Sequence, residues 1–500
     1  MPDSTYIAVD IGAGSARVLA GCYDGHTLEL NEVHRMTNAP LVLPTGEHWN
    51  VGGLFDGIVQ GLTKARQLYG DTIVSIGIDA FGNGYGLQAS DGRLLGLPYH
   101  YRDARTEGKM EHAFAQLSER DLFVATGAQS YFFNTLFQVL ADLDAKPPVF
   151  PVAKDFLFIS DILNYWLCGV VGCERTMASC SQLYDMTAAD WAYPVFEKLG
   201  IPKELFPQLV TPGDVLGPLL KPIQELTGLS ETKVVAVGSH DTASAVAGIP
   251  RQSSDSVFLS SGTWSLMGLE LPQPICSDEA FEAGFTNELG LEGTTRFIQN
   301  IGGLWLLQES RRQWQREGLE LSFGEMAAMA SEAEPFRSLI DPNDPVFRAA
   351  GDMPARIRSY CERTGQDIPQ RPAQIIRCIY ESLALSYSEA WAKLERFSPV
   401  ELTRLNIVGG GCQDALLNQF TANAIGKPVW VGPVEATGIG NIISQMISNA
   451  EVASLSAGRQ LIAESFPCEC IDPVDTSLWD DARSRFRSIV SGHTLSLSTH

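Results

Sequence analysis

Residues 6–23 read YIAVDIGAGSARVLAGCY, and the way this stretch turns decides the fold. Tyr6 to Asp10 is a short apolar run, Gly12 to Gly14 a turn, and Arg17 to Tyr23 a second run, which together predict a strand, a tight turn and a returning strand. Asp24-Gly25 then turns the chain into the alternating stretch Thr27 to Val33, so the chain opens as an antiparallel meander. Gly12-Ala-Gly14 could be taken for a dinucleotide fingerprint. Arg17, however, stands where the third glycine or alanine should fall, and a strand follows instead of a helix, so a hydride-transfer reading is weak.

Working outward, a helical pattern covers Val51 to Leu68, and an apolar strand Ile73 to Ile78 ends at Asp79 before the loop Phe81 to Gly86. Residues 107–212 are richer in helical periodicity, for example Asp155 to Leu167, and read as an insertion or a helical flank. The strand Lys233 to Gly238 delivers Ser239-His240-Asp241 to its end, and a helix can start at Ala243 to Ala247. Residues 256–271 read SVFLSSGTWSLMGLEL and repeat the opening unit: strand Ser256 to Leu259, turn Ser260 to Gly262, strand Trp264 to Leu269. Each half therefore opens alike, an internal duplication of architecture without similar residues, with a boundary near Gly248 to Asp255. Late in the chain, Arg404 to Val408 runs into Gly409-Gly410-Gly411 and a helical pattern over Gln413 to Ile425.

A chain of 500 residues exceeds what one hydrophobic core supports, so two domains are expected, 1–248 and 249–500. The formal charge of −23, with no basic run to offset it, disfavours nucleic acid as a partner. No apolar segment approaches the ~18 residues that span a bilayer, so no membrane role is expected. The start MPDSTYIAVDIGAG carries no export signal and reads as cytoplasmic. The ten cysteines lack the paired CxxC spacing and accompanying histidines of a zinc site, and read as buried small hydrophobes, with Cys468 and Cys470 near the end as the two candidates for exposure.

Tight turns of small residues, such as Gly12 to Gly14 and Ser260 to Trp264, expose amides and hydroxyls that can hold phosphate oxygens, and the triple glycine lets a ligand approach the backbone. Asp241 follows an apolar strand, where open α/β sheets place ligands; it is either a helix N-cap or a base that orients an attacking hydroxyl and accepts its proton. Asp10 is either a turn carboxylate accepting amides from Gly12 onward or a ligand of Mg²⁺, directly or through water. Trp49-Asn50, Phe81 to Tyr85 and Tyr99 to Asp103 mix flat apolar faces with donors and acceptors, as a sugar site needs. Arg105 reads as a structural ion-pair group.

Asp10-Ile-Gly-Ala, Ser239-His-Asp-Thr-Ala-Ser, Ser260-Ser-Gly-Thr-Trp-Ser and Val408-Gly-Gly-Gly-Cys-Gln resemble the FGGY carbohydrate kinases. The resemblance extends over nearly the whole chain, through Tyr101-Arg-Asp-Ala-Arg, Phe133-Asn-Thr-Leu, Gly303-Leu-Trp-Leu-Leu-Gln and Gly432-Pro-Val-Glu-Ala. It implies an α/β fold of two actin-like (ribonuclease H-like) domains, each a mixed sheet flanked by helices. The active site would lie in the interdomain cleft, with a sugar-binding N-terminal and an ATP-binding C-terminal domain. It implies ATP contacts at Ala13, Gly14, Ser15, Ala16, Arg17, Thr263, Gln308 and Gly411, and sugar contacts at Gly82, His240, Asp241, Thr242 and Asn300. Asp241 would be the proton acceptor, with ATP and Mg²⁺ as cofactors and a small sugar as the partner.

The implied reaction is phosphorylation of a ketose, with L-rhamnulose first among the sugars and L-fuculose, D- or L-xylulose, L-ribulose or a polyol as alternatives. A non-catalytic actin-like nucleotide-binding protein is the alternative from another class. The chain departs from the members it resembles most at one loop. Where they read Trp-Gly-Val-Asp-Phe it has Phe81-Gly82-Asn83-Gly84-Tyr85, so glycine stands in place of a carboxylate.

Overall fold

A computed structural model describes residues 3–145 and 149–497. Two compact units emerge: Met1–Arg251 with Glu270–Phe297 and Ala436–Phe466, and Gln252–Leu269 with Ile298–Glu435 and Pro467–His500. The expected division at 248/249 does not account for the two later segments that pack with the first unit. One of them, the helix Ala436–Ser448, brings an apolar face to a sheet far away in sequence. Local patterning carries no information about such a return.

The first unit is built on strands β1 (Ser4–Ile11), β2 (Ser15–Tyr23), β3 (Leu28–Thr37), β4 (Ile73–Ala80), β5 (Val215–Pro218) and β6 (Lys233–Val235), in the order β5-β6-β4-β1-β2-β3. β1, β2 and β3 are antiparallel neighbours, whereas β1 and β6 each run parallel to β4. Both faces of β1 are covered, and its alternation sorts the residues. Ile7, Val9 and Ile11 join the core that includes Leu54, Ile58 and Leu62 of helix α1 (Val51–Tyr69). Tyr6 and Ala8 join Ile439, Ile442, Ile443 and Met446 of Ala436–Ser448 on the other face. Each such aliphatic side chain contributes about 1.5–3 kcal/mol when taken fully out of water.

A second sheet carries β7 (Ser256–Ser261), β8 (Trp264–Leu271), β9 (Thr295–Gly302), β10 (Arg404–Val408), β11 (Val429–Val431) and β12 (Glu469–Ile471), in the order β9-β8-β7-β10-β11-β12, with a seventh strand, Thr286–Leu289, beside β9. β7 and β8 form an antiparallel hairpin, and β7 runs parallel to β10 as β1 does to β4. The duplication expected from the two glycine turns is therefore present in the strand orders.

The segment Asp155 to Leu167 is not helical throughout. Ala153–Phe158 is a strand paired with Tyr85–Ala89, and the helix is Ile159–Cys168. Phe156, Leu157 and Phe158 are all buried, a continuous apolar run that periodicity alone cannot tell from a buried helix. Among the described residues no helix is long and apolar enough to cross a membrane.

Candidate active site

In the first unit, neighbouring parallel strands end together. β1 ends just after Asp10, and β4 places Asp79 opposite it in register. The chain beyond β6 bridges to β4 through Ala80 and His240, and Ala80 donates its amide to the Ser239 carbonyl at 2.8 Å. Phe81 donates to the carbonyl of Ile11 at 2.9 Å, which ties the Phe81–Gly82 loop to the same edge. Asp10, Asp79 and Asp241 thus share the carboxyl end of one sheet.

Asp241 is the first residue of helix α2 (Asp241–Ala247), and the cap position belongs to His240, whose side chain makes no capping bond. Asp241 is therefore not the N-cap that was the simplest structural reading. Its carboxylate is 32% exposed and accepts one hydrogen bond from the Thr242 hydroxyl at 3.0 Å. A partly exposed acid at a sheet's carboxyl edge is free to meet a hydroxyl.

Asp10 is nearly buried and ion-paired with Arg17 at 2.5 Å. Burial first, and then the negative charge of Asp10, hold the Asp79 carboxyl well above the usual range. Asn441 donates to one Asp79 oxygen at 2.6 Å. Among the described residues no three His, Cys, Asp or Glu side chains group to hold a metal. The Asp10 carboxylate, at the end of β1 and paired with Arg17, is an oxygen donor of the kind Mg²⁺ takes beside water and phosphate oxygens.

The turn after β1 leaves Ala13, Gly14 and Ser15 exposed and Arg17 half-buried, while Ala16 points into the core. Gly12 donates to the Ser15 carbonyl at 3.0 Å, and Asn38 donates from its side chain to the Gly12 carbonyl at 2.8 Å. The turn is fixed before any ligand arrives.

The aromatic segments also meet. The Trp49 ring lies 4.0 Å from Phe81, 4.2 Å from His100 and 5.7 Å from Tyr101. The charge of Asp241 is felt at the Tyr101 hydroxyl, which connects this wall to Asp241. Arg105 is a structural group, pairing with Asp142 and donating to the Gln138 carbonyl at 2.9 Å. Asn83 adopts φ 70° and accepts from the Thr135 amide at 3.2 Å. A Cβ on Gly84 would come within 2.8 Å of Ile159 Cγ1 and 3.0 Å of the Phe81 ring. The space that a carboxylate side chain would enter at this position is filled by Ile159.

His240 sits between the site and a buried charge pair. A Cβ on Gly82 would lie 3.2 Å from its Nε2, and Asp241 Oδ1 is 3.5 Å from the same nitrogen. On the other side Nδ1 is 3.1 Å from Glu288 and 3.2 Å from Arg296, which is itself 3.0 Å from Glu288. Burial disfavours the imidazolium, yet the Cys180 sulfur and the Glu288 carboxylate outweigh it and raise the His240 pKa well above the ordinary value. The backbone is latched too, since Thr176 Oγ1 accepts from the His240 amide at 3.1 Å and Glu174 accepts from the Ser239 amide at 3.2 Å. Asp79, Glu174, Glu288 and Arg296 escaped the sequence reading as site residues; only Asp79, at a strand end, left a local trace.

In the second unit, the hairpin turn Gly262 to Trp264 packs on the start of the helix Trp305–Arg316, with Leu304 donating to the Gly262 carbonyl at 3.0 Å. Thr263 is exposed and donates to Gln308 Oε1 at 3.3 Å. Gly411 lies against Ser261, where a Cβ would meet Oγ at 2.0 Å. Thr263, Gln308 and Gly411 thus gather at one end of the second sheet. A helical turn, Gly410–Gln413, separates the glycines from the helix Ala415–Ile425, which Asp414 caps. Asn300 lies half-buried on β9.

Residues 5–248 match the FGGY family of carbohydrate kinases, N-terminal domain, and residues 257–449 match the C-terminal domain of that family. The chain is 40% identical over 485 residues to a rhamnulokinase of Bacteroides thetaiotaomicron, covering 97% of this chain and 99% of that protein. It is 37% identical over 497 residues to one of Enterococcus faecalis, covering 98% of each. Among solved structures, gluconate kinase from Lactobacillus acidophilus superposes with TM-score 0.82 at 15% identity over 98% of both chains. Plasmodium falciparum glycerol kinase with ADP gives 0.76 at 16% identity over 99% and 98%. At such identities these likenesses bear on the fold alone.

Proposed function

This chain belongs to the FGGY family of carbohydrate kinases, and from that membership we propose that it transfers the γ-phosphoryl group of ATP to L-rhamnulose, giving ADP and L-rhamnulose 1-phosphate. The observation that carries the choice of sugar is the full-length identity of 37–40% to rhamnulokinases. The other ketoses and polyols gain no comparable support.

Asp241 is the proton acceptor in this reading. Its carboxylate orients the attacking hydroxyl and takes its proton as the bond to phosphorus forms, a modest demand in a loose transition state. The partial exposure of Asp241 and its place at the sheet edge support that role. Gly82, His240, Thr242 and Asn300 are assigned to the sugar, with the Trp49, Phe81 and Tyr101 wall beside it. The amides and side chains of Ala13 to Arg17, with Thr263, Gln308 and Gly411, are assigned to ATP. Mg²⁺, held by Asp10, supplies charge neutralisation on the phosphate oxygens when bound.

Asp241→Asn keeps the shape and removes the base, so kcat should fall by about 10²–10⁴-fold with the thermal midpoint unchanged. A folded Asp241→Asn protein with undiminished kcat would remove the assignment.

A further inference from the structure

The ring of His240 divides the two sides of the site. Nε2 faces Gly82 and Asp241, whereas Nδ1 faces Glu288 and Arg296, which are nearly and completely buried at 8% and 0% side-chain exposure. Arg296 is anchored by donating Nε to the Leu289 carbonyl at 3.0 Å. Two arrangements satisfy both ring nitrogens against Glu288, Arg296 and Asp241. Nδ1 either accepts from the guanidinium, which leaves a neutral ring, or carries a hydrogen toward the Glu288 carboxylate as imidazolium. Both arrangements keep the other hydrogen on Nε2. The third possibility, a neutral ring protonated on Nδ1 alone, would give up the hydrogen bond from Arg296 and leave a bare Nε2 facing the Asp241 carboxylate at 3.5 Å, two acceptors with no hydrogen between them.

We propose that Glu288 and Arg296 are positioning residues that hold His240 with a hydrogen on Nε2, so that it meets the site as a donor. This rests on the kinase reading above. The consequence is that His240 can donate to a sugar oxygen while Asp241, one residue on, accepts from the attacking hydroxyl. Neighbouring residues thus carry opposite hydrogen-bonding roles. The charged and titratable groups facing the ring are Cys180 from the helix Arg175–Cys180, Glu288 from the strand Thr286–Leu289, Arg296 from β9 and Asp241 from its own helix. Of these, Glu288 is the carboxylate that stabilises a charged ring from behind the site.

The first test is NMR of the folded wild-type chain with ¹⁵N-labelled histidine, the His240 signals being assigned by their loss in His240→Asn. The expected pattern is a hydrogen on Nε2 throughout pH 6–8, and a bare Nε2 would overturn the proposal. This needs no substrate, so it stands apart from the identity of the sugar.

The second test is kinetic, with whichever acceptor the wild type turns over. Glu288→Gln should raise KM for the sugar about tenfold or more, leave KM for ATP unchanged, and add a titration of kcat/KM near the ordinary histidine pKa of about 6.5. In His240→Asn, the same substitution should cost nothing further. A Glu288→Gln enzyme that only loses thermal stability, with sugar KM and pH profile unmoved, would contradict the proposal. If that variant does not fold, the nitrogen spectrum of the wild type still decides.

Discussion

Asp241 and His240 show how adjacent side chains acquire different work from their surroundings. Asp241 keeps partial contact with solvent, while His240 is enclosed by Cys180, Glu288 and Arg296. His100 marks the contrast, because burial, and then Arg102, push its pKa down to about 4, whereas Cys180 and Glu288 push that of His240 up. Asp241 was legible in the sequence because it follows an apolar strand, and Asp10 because it precedes a glycine turn. Glu288 and Arg296 were not, since neither sits in a motif and both reach His240 only through tertiary packing. Gly84 belongs to this scale as well. Its missing side chain is matched by Ile159, 2.8 Å from where a Cβ would stand. Restoring the carboxylate with Gly84→Asp should therefore destabilise the protein by about 1–3 kcal/mol through overpacking. Thermal unfolding would show a lowered midpoint, recovered in part when Ile159→Ala makes room. An unchanged midpoint in the single variant would refute the steric account.

The element that most directly places Asp241 is one the sequence did not reveal. Helix α2 crosses Ala436–Ser448 at very close range: a Cβ on Gly440 would lie 1.8 Å from the Ser244 carbonyl oxygen, and one on Gly248 would lie 2.1 Å from that of Ala436. Backbone cannot yield as a flexible side chain does. Gly440→Ala should therefore force the two helices apart, lower the thermal midpoint and reduce kcat by shifting the helix that begins at Asp241. Retained stability and kcat in that variant would show the crossing to be looser. The hairpins and the strand Arg404–Val408 were readable because strand alternation and glycine turns are local signals. The return of 436–466 to the first unit was not, since an apolar helix does not state which sheet it will cover. The strand Ala153–Phe158 was missed for a related reason, its apolar run having no period to read.

Across the whole molecule the repeated strand order gives each unit a sheet whose carboxyl edge gathers polar residues, and each unit also buries a strained carboxyl. Burial lifts Glu174 in the first unit and Glu381 in the second to about 7, against their hydrogen-bonding partners. Below about pH 4.5 both the folded and unfolded chains hold these protons. Between there and 7 the unfolded chain releases them while the folded chain retains them, so the two groups lose stability as pH rises through that window. Glu381→Gln should remove one of these losses. Its stability relative to the wild type should rise from pH 5 to pH 7 in denaturant titrations, and a constant difference would contradict the assigned shift. The central claim concerns what this duplicated fold does. Its most direct test is kcat/KM from ADP release with Mg-ATP across L-rhamnulose, L-fuculose, D- and L-xylulose, L-ribulose and glycerol. The account predicts sugar-dependent release with L-rhamnulose preferred by about tenfold or more, the discrimination expected of a site built on hydroxyl contacts. A larger constant for another acceptor, or release indifferent to sugar, would contradict it.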